Sequence, residues 1–485
     1  MQSSTRHSKK QLSSRLLPLK ITMIYLLGTY VLFAFGPISW PIDNWWTLNL
    51  YVGAVGVSFT ATYRFSIHTQ ARGREFRSWR FVYILGGLSS IALLFPSSII
   101  YAGRWPWQVF EAWGDQREAY STLMDQTSLT EGHRVPIVLA TVFASPFVKA
   151  AIPLGILHWK ELSWLLRSLV LSTILTFLIS SILLGRNRQT ADIFILCSSA
   201  GLVALYRRSV AIRGKRRKPS YGKYWLFSII AVCYLVFAMG SFVDRISQRM
   251  GGVRDLCMIE SGICVDFRSP SIAMFDDDGK YVVGAAAMYM GQGYYGLSLA
   301  LQKDFQPTWG LGHSAALMAL YKSLTGDTSL YERTYLFRLR ENNWCDLHYW
   351  STTLVWFAND IGFFGVLFLM VPLSRIFALS WIDATDGQDD RAAVVFSILM
   401  IQLFFFTANS QLLLTIDGYF AVLSWLSLWL YQRAAPAPVI EAPAVETPAS
   451  PVAASPADET PAADGSDRQA NPGDRQHAER PGIPL

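Results

Sequence analysis

Charge is what this sequence has least of: only 16% of its 485 residues are Asp, Glu, Lys or Arg, where a soluble domain carries about a quarter. With 52% hydrophobic residues, such a chain cannot keep its whole surface wet. An ordinary soluble globule is excluded. Other absences narrow the class further. There is no Gly-Lys-Ser/Thr loop for nucleotide hydrolysis, no Gly-x-Ser-x-Gly elbow for a serine hydrolase and no Cys/His spacing for zinc, so neither cofactor nor metal is expected. Cysteine is sparse, with 5 in all. Cys197 and Cys233 lie in apolar stretches and read as packing residues, whereas Cys257, Cys264 and Cys345 lie in a polar segment. A Cys257–Cys264 disulfide is chemically allowed if that segment faces a bacterial periplasm, although sequence cannot fix the pairing. No continuous basic face exists to hold nucleic acid, because the net charge of +7 is divided into short clusters between apolar stretches. No cleavable signal peptide is apparent: Arg6, Lys9, Lys10, Arg15 and Lys20 run into an apolar stretch long enough to span a bilayer, so the first helix is expected to stay as an anchor.

What the chain has in abundance is apolar length. Stretches of about 17 to 25 apolar residues, enough to cross a bilayer, fall near 21–40, 47–66, 80–102, 136–157, 163–184, 190–206, 224–243, 354–374, 392–408 and 412–431. The expected fold is therefore an all-α polytopic membrane protein with about ten transmembrane helices. Orientation follows from where Lys and Arg fall in the short connections, since cationic segments stay inside. The second connection carries Arg64, Arg72, Arg74, Arg77 and Arg80, the fourth Lys160 and Arg167, and the sixth Arg207, Arg208, Arg213, Lys215, Arg216, Arg217, Lys218 and Lys223. The eighth is weaker, with Arg375 and Arg391 bracketing Asp383, Asp386, Asp389 and Asp390. Both ends are then cytoplasmic. The expected organisation is a cytoplasmic N-terminus over 1–20, helices over 21–243, a large extracytoplasmic loop over 244–350 with a re-entrant helix at 282–301, further helices over 351–433, and a disordered cytoplasmic tail over 434–485, where Ala, Pro, Glu and Asp follow one another without period.

Chemistry-bearing residues gather on the side expected to be outside. Arg186 and Arg188 stand in a short outer connection, against the positive-inside rule, and suit a phosphate or pyrophosphate at the membrane face; snorkelling to headgroups is the plainer alternative. The large loop places Arg245, Arg249 and Arg254 after one span and Glu332, Arg333, Arg338, Arg340, Glu341, Asp346 and His348 before the next. Cations near headgroup level with a carboxylate or imidazole beside them would suit an anionic lipid-linked substrate, and salt bridges within the loop are the rival reading. Between the clusters, Gly-rich stretches hold Tyr294, Tyr295, Trp309 and His313, with aromatic faces suited to sugar rings and a histidine suited to proton transfer or to a structural hydrogen bond. The run Phe275-Asp276-Asp277-Asp278-Gly279 reads as a turn. Inside apolar spans, Asn359, Asp360 and Asp417 are expensive in lipid and so are candidates for function.

The segments Gly185-Arg186-Asn187-Arg188-Gln189, Gly293-Tyr294-Tyr295-Gly296-Leu297-Ser298-Leu299-Ala300-Leu301, and His348-Tyr349-Trp350-Ser351 through Gly362-Phe363-Phe364-Gly365 resemble the O-antigen polymerases, or oligosaccharide repeat-unit polymerases, and the related O-antigen ligases. The pattern departs at one point: the ligases' histidine stands nearer the Gly-x-x-Gly, close to the place of Ser351. The resemblance implies a metal-independent transfer of an undecaprenyl-pyrophosphate-linked glycan to an acceptor sugar hydroxyl at the outer face of the cytoplasmic membrane. It implies as partners the lipid-linked oligosaccharide, membrane lipid, a chain-length regulator and a flippase. On this expectation Arg186, Arg188, Arg254, Arg338 and Arg340 hold phosphates, His313, His348 or Asp360 handles the acceptor proton, and Tyr294, Tyr295 and Trp309 contact sugar. The rivals are a ligase, a transferase of single sugars from polyprenyl phosphate with Asp43 as base, and a transporter that moves protons through Asp360 or Asp417.

Overall fold

In the computed structural model, residues 12–114, 135–186, 188–213, 240, 256–258 and 260–435 are described. The expected span at 224–243, apart from Gly240, Arg245, Arg249, Arg254 and the tail beyond Ala435 lie outside the described residues. The fold is helical, and seven helices among the described residues are long and apolar enough to cross a membrane. They are α1 (Leu17–Phe35), α3 (Trp79–Ala102), α4 (Val135–Leu157), α5 (Trp164–Leu183), α6 (Arg188–Arg213), α9 (Thr353–Thr385) and α10 (Asp390–Phe404), the last running into a 3-10 turn at Phe405–Thr407. The expected spans at 47–66 and 412–431 are the helices α2 (Trp45–Ser66) and α11 (Ile416–Ala434). Neither reaches the same apolarity, because each carries polar groups that serve its neighbours. In α2, Tyr51 and Ser58 donate to the carbonyls of Phe363 and Leu367, both at 3.1 Å. In α11, Trp425 Nε1 donates to the Pro146 carbonyl of α4 at 2.7 Å.

Close backbone approach holds the array together. At Gly86 of α3 an added Cβ would collide with the Phe147 carbonyl of α4, and small residues at such crossings are how helices pack in lipid. α9 is broken at Gly362, whose φ of 67° and ψ of 167° lie outside the helical region; glycine takes that φ without a Cβ penalty. The break leaves carbonyls that a helix would otherwise satisfy, which in a membrane is tolerable only where other groups bond them. Thr308 Oγ1 serves the Asn359 carbonyl, just before the break, at 2.8 Å.

One end of the array is tied by ion pairs. Asp383 accepts from Arg433, from Trp429 Nε1 and from the Arg72 amide. Arg15 pairs with Asp386 at 2.7 Å, Arg207 with Asp390 at 2.7 Å, and Arg391 with Asp389 at 2.9 Å. The acidic residues that made the connection at 383–390 look weakly basic are thus neutralised by Arg15 of the N-terminal segment, Arg207 near the end of α6, Arg391 of α10 and Arg433 of α11, while the 67–78 connection gives the backbone amides of Arg72 and Arg74. The described parts of the connections expected on the cytoplasmic side meet there. His158, just past α4, joins them: its ring stacks on Trp79 at 3.8 Å and bonds Asp390 at 2.8 Å and Glu161 at 3.1 Å. Burial disfavours the charged imidazole, but the hydrogen bonds and charges of Asp390 and Glu161 outweigh it and raise the pKa above its ordinary value. A pKa raised on folding stabilises the protein fully below the unfolded value of about 6.5 and loses that contribution as pH rises through the folded value. The thermal midpoint of the purified protein is therefore expected to fall between about pH 6 and about pH 9 by more in wild type than in His158→Gln. Equal pH slopes in the two proteins would show that this pairing contributes nothing.

At the opposite end the described part of the large loop is ordered. A two-stranded hairpin, β1 (Cys257–Met258) and β2 (Ile263–Cys264), is closed by the Cys257–Cys264 disulfide, with S–S 2.02 Å. The expected re-entrant segment at 282–301 is a longer helix, α7 (Asp277–Ala300), and a shorter one, α8 (Ala315–Thr325), follows it. The start of α7 corrects the reading of the acidic run as a plain turn: Asp276 is the N-cap, its Oδ1 accepting from the Gly279 amide at 2.9 Å, with Asp277 and Asp278 in the first turn, where the helix dipole favours them. From Gly291 to Ala300 the helix is buried. There it packs on α1, with Tyr294 and Phe33 ring centroids 5.1 Å apart.

Candidate functional site

The site forms around the break in α9. Asp360, two residues before Gly362, is nearly buried, with 8% of its side chain exposed. Its carboxylate accepts four bonds. Oδ1 takes Thr308 Oγ1 at 2.5 Å and the Gly312 amide at 2.9 Å, and Oδ2 takes the His313 amide at 2.9 Å and His313 Nδ1 at 2.8 Å. The neighbouring Asn359 fixes the same loop: its Nδ2 donates to the Gly312 carbonyl and its Oδ1 accepts the Tyr335 amide, both at 2.9 Å. The loop needs a residue without a side chain at Gly312, where a Cβ would strike Thr308 and Asn359.

These bonds decide the imidazole's tautomer. A carboxylate at Nδ1 requires the proton there, which leaves Nε2 as the free lone pair. Nε2 lies 3.2 Å from the Tyr419 hydroxyl, in the first turn of α11. A carboxylate that orients a histidine, whose other nitrogen can take a proton, is the arrangement of general-base catalysis. In such an arrangement the carboxylate's part is to orient the ring. Between its two donors Thr308 and Gly312 stands Trp309, with a φ of 56° and an indole 75% exposed. Positive φ is unusual for so bulky a residue, and such strain collects at functional sites.

Cations reach this place along two routes. The connection from α10 to α11 is pinned on three sides. Trp356 Nε1 of α9 bonds Asn409 Oδ1 at 2.8 Å, Ser314 Oγ, beside His313, bonds the Leu413 carbonyl, and Arg188 Nη2 bonds the Gln411 carbonyl at 2.6 Å. Gln411 and Leu413 are two residues apart, a span of at most about 7 Å, so Arg188 at the start of α6 is held close to the histidine loop. Arg338 belongs to the turn Tyr335–Arg338, whose first amide is bound by Asn359. Its guanidinium lies 5.1 Å over the Tyr335 ring and donates to the Asp304 carbonyl at 2.6 Å.

The chain matches no family model, no curated protein and no solved structure. Its own geometry therefore sorts the residues expected from sequence. His313 and Asp360 are bonded to each other, Trp309 lies in the same loop, Arg338 bonds the Asp304 carbonyl at the start of that loop, and Arg188 bonds the Gln411 carbonyl of the α10–α11 connection. Arg186 stands two residues before Arg188, its amide donating to the Ser181 carbonyl at 3.0 Å. Arg340 is engaged elsewhere, paired with Asp346 at 2.7 Å and with the Tyr331 hydroxyl at 2.9 Å. Tyr294 and Tyr295 are buried, the first with its hydroxyl 3.1 Å from Thr29 and the second stacked on Trp40, so neither offers a ring face to solvent. His348 belongs to a separate cluster with Glu260 at 2.7 Å. Sequence reasoning passed over Tyr419 and Thr308, which no local pattern distinguishes from other span and loop residues.

Proposed function

We propose that this protein is a repeat-unit polymerase of bacterial exopolysaccharide, capsule or O-antigen, acting at the outer face of the cytoplasmic membrane on undecaprenyl-pyrophosphate-linked glycan. The observation that carries the reading is the Asp360–His313 pair, its free Nε2 toward Tyr419, with Arg188 and Arg338 held around the same loop. The acceptor sugar hydroxyl takes the place beside Nε2 that the Tyr419 hydroxyl occupies. Its oxygen attacks the anomeric carbon of the donor glycan, its proton passes to His313 Nε2, and the bond from that carbon to the pyrophosphate oxygen breaks. The lipid pyrophosphate leaves with the electron pair, and the arginines stabilise the charge that grows on it. Trp309 presents an exposed ring to a sugar, as aromatic faces commonly do.

A transporter is the second reading. It is favoured by Lys149 of α4 and Asp192 of α6, a nearly buried ion pair at 3.2 Å between two apolar helices, since charges inside spans mark proton paths as well as structural pairs. Cells lacking the gene separate the two. Under the polymerase reading they accumulate a single repeat unit on lipid, accessible from the outside, and lose polymer. Under the transporter reading the lipid-linked unit stays on the inner leaflet, and that result would overturn the proposal.

A further inference from the structure

Beyond the histidine loop lies a second group of potential ligands. Glu260, Cys345 and His348 each offer a ligand atom, and these atoms all lie within 4.8 Å of one another. They come from two distant segments. Glu260 sits in the hairpin turn closed by the Cys257–Cys264 disulfide, and its amide donates to the Tyr349 hydroxyl at 3.2 Å. Cys345 and His348 sit on one tight turn, in which the His348 and Tyr349 amides donate to the Cys345 carbonyl at 3.0 and 2.8 Å. All three backbones are fixed before any ion arrives.

The sequence offers no zinc motif because the ligands are divided between a disulfide hairpin and a turn far along the chain. We propose that Glu260, Cys345 and His348 bind a borderline-soft divalent cation, Zn2+ by preference, which clasps the disulfide hairpin to the segment leading into α9. A carboxylate, a thiolate and a neutral imidazole are the ligand types zinc takes. Together the first two carry the charge of a divalent ion, and the exposure of the cluster leaves a fourth position to water. Cysteine arithmetic points the same way: Cys257 and Cys264 are paired while Cys345 is a free thiol. An unpaired thiol in an oxidising compartment needs an explanation, and metal ligation supplies one. That last argument rests on the outward-facing reading proposed above; the ligand geometry does not. On binding, the Cys345 S–H bond breaks, an S–Zn bond forms, and the proton is released to solvent.

The test uses the full-length protein in detergent, stripped with a chelator and titrated with Co2+, whose thiolate complexes absorb strongly in the near ultraviolet. One equivalent is expected to give that absorption and Zn2+ to abolish it by displacement. Cys345→Ser is expected to lose the band, and Glu260→Gln and His348→Ala to weaken Co2+ binding by at least about tenfold. Should Cys345→Ser fail to fold, the other two exposed variants carry the test. The inference is overturned if saturating Co2+ gives no thiolate band, if the band survives in Cys345→Ser, or if Cys345 is found in a disulfide between two copies of the chain. No glycan is present in the titration, so its failure is distinct from failure of the polymerase reading.

Discussion

Replacing His313 with Ala is expected to slow glycan transfer by about a hundred- to ten-thousand-fold, the usual contribution of a positioned general base. Asp360→Asn is expected to lose nearly as much, for a different reason. The amide keeps the shape of the carboxylate, but its NH2 cannot accept the bonds that one oxygen now takes. The pair His313 amide and Nδ1 and the pair Thr308 and Gly312 each address one oxygen, so either orientation of Asn puts donor against donor. Where the NH2 faces His313, the imidazole loses the partner that fixes its tautomer, which in analogous pairs is costly to turnover while leaving the fold intact. Tyr419→Phe removes only the hydroxyl beside Nε2 and is expected to cost far less. Turnover, scored as lipid pyrophosphate released by purified protein, is to be compared at matched thermal midpoints. A His313→Ala protein that turns over like wild type would move the base elsewhere.

The second large effect concerns Arg188. A pyrophosphate leaving group gains negative charge as the glycosyl bond breaks, and removing one donor that stabilises such charge typically costs about a hundred- to a thousand-fold. Arg188→Ala is expected to fall in that range. Arg188→Lys keeps the charge but loses the planar fork that can bond Gln411 and a phosphate oxygen at once, so it should remain impaired. Wild-type rates in both Arg188 variants would mean that the side chain only braces the connection, and would shift the phosphate site toward Arg338.

How much of this was legible in the sequence differs by scale. Long apolar runs decide their own fate, so the spans expected at 80–102 and 136–157 are the helices Trp79–Ala102 and Val135–Leu157. Runs that mix in hydroxyls were legible as helices but not as to their purpose: Tyr51 and Ser58 lower the apolarity of α2 and donate to carbonyls of α9 past its break. The acidic run at 276–278 was ambiguous, since Asp serves turns and N-caps by the same side-chain acceptor. Among the site residues, His313, Asp360, Trp309, Arg188 and Arg338 stood out by type and by expected side of the membrane. Their grouping did not. His313 and Asp360 are 47 positions apart and His313 and Tyr419 are 106 apart, and pairings at such separations are made by tertiary packing, of which a single sequence carries no local trace. The same packing assigned Tyr294 and Tyr295 to the interior, where their rings pack on Phe33 and Trp40.

The central claim is transfer from a lipid pyrophosphate, and its most direct measurement is a reaction of the purified protein with a single undecaprenyl-pyrophosphate-linked repeat unit and no added metal or nucleotide. The account predicts a ladder of longer glycans with one undecaprenyl pyrophosphate released for each new glycosidic bond, and both signals lost together in His313→Ala. Release of undecaprenyl monophosphate instead, or a substrate that stays intact while crossing a reconstituted vesicle membrane, would contradict it.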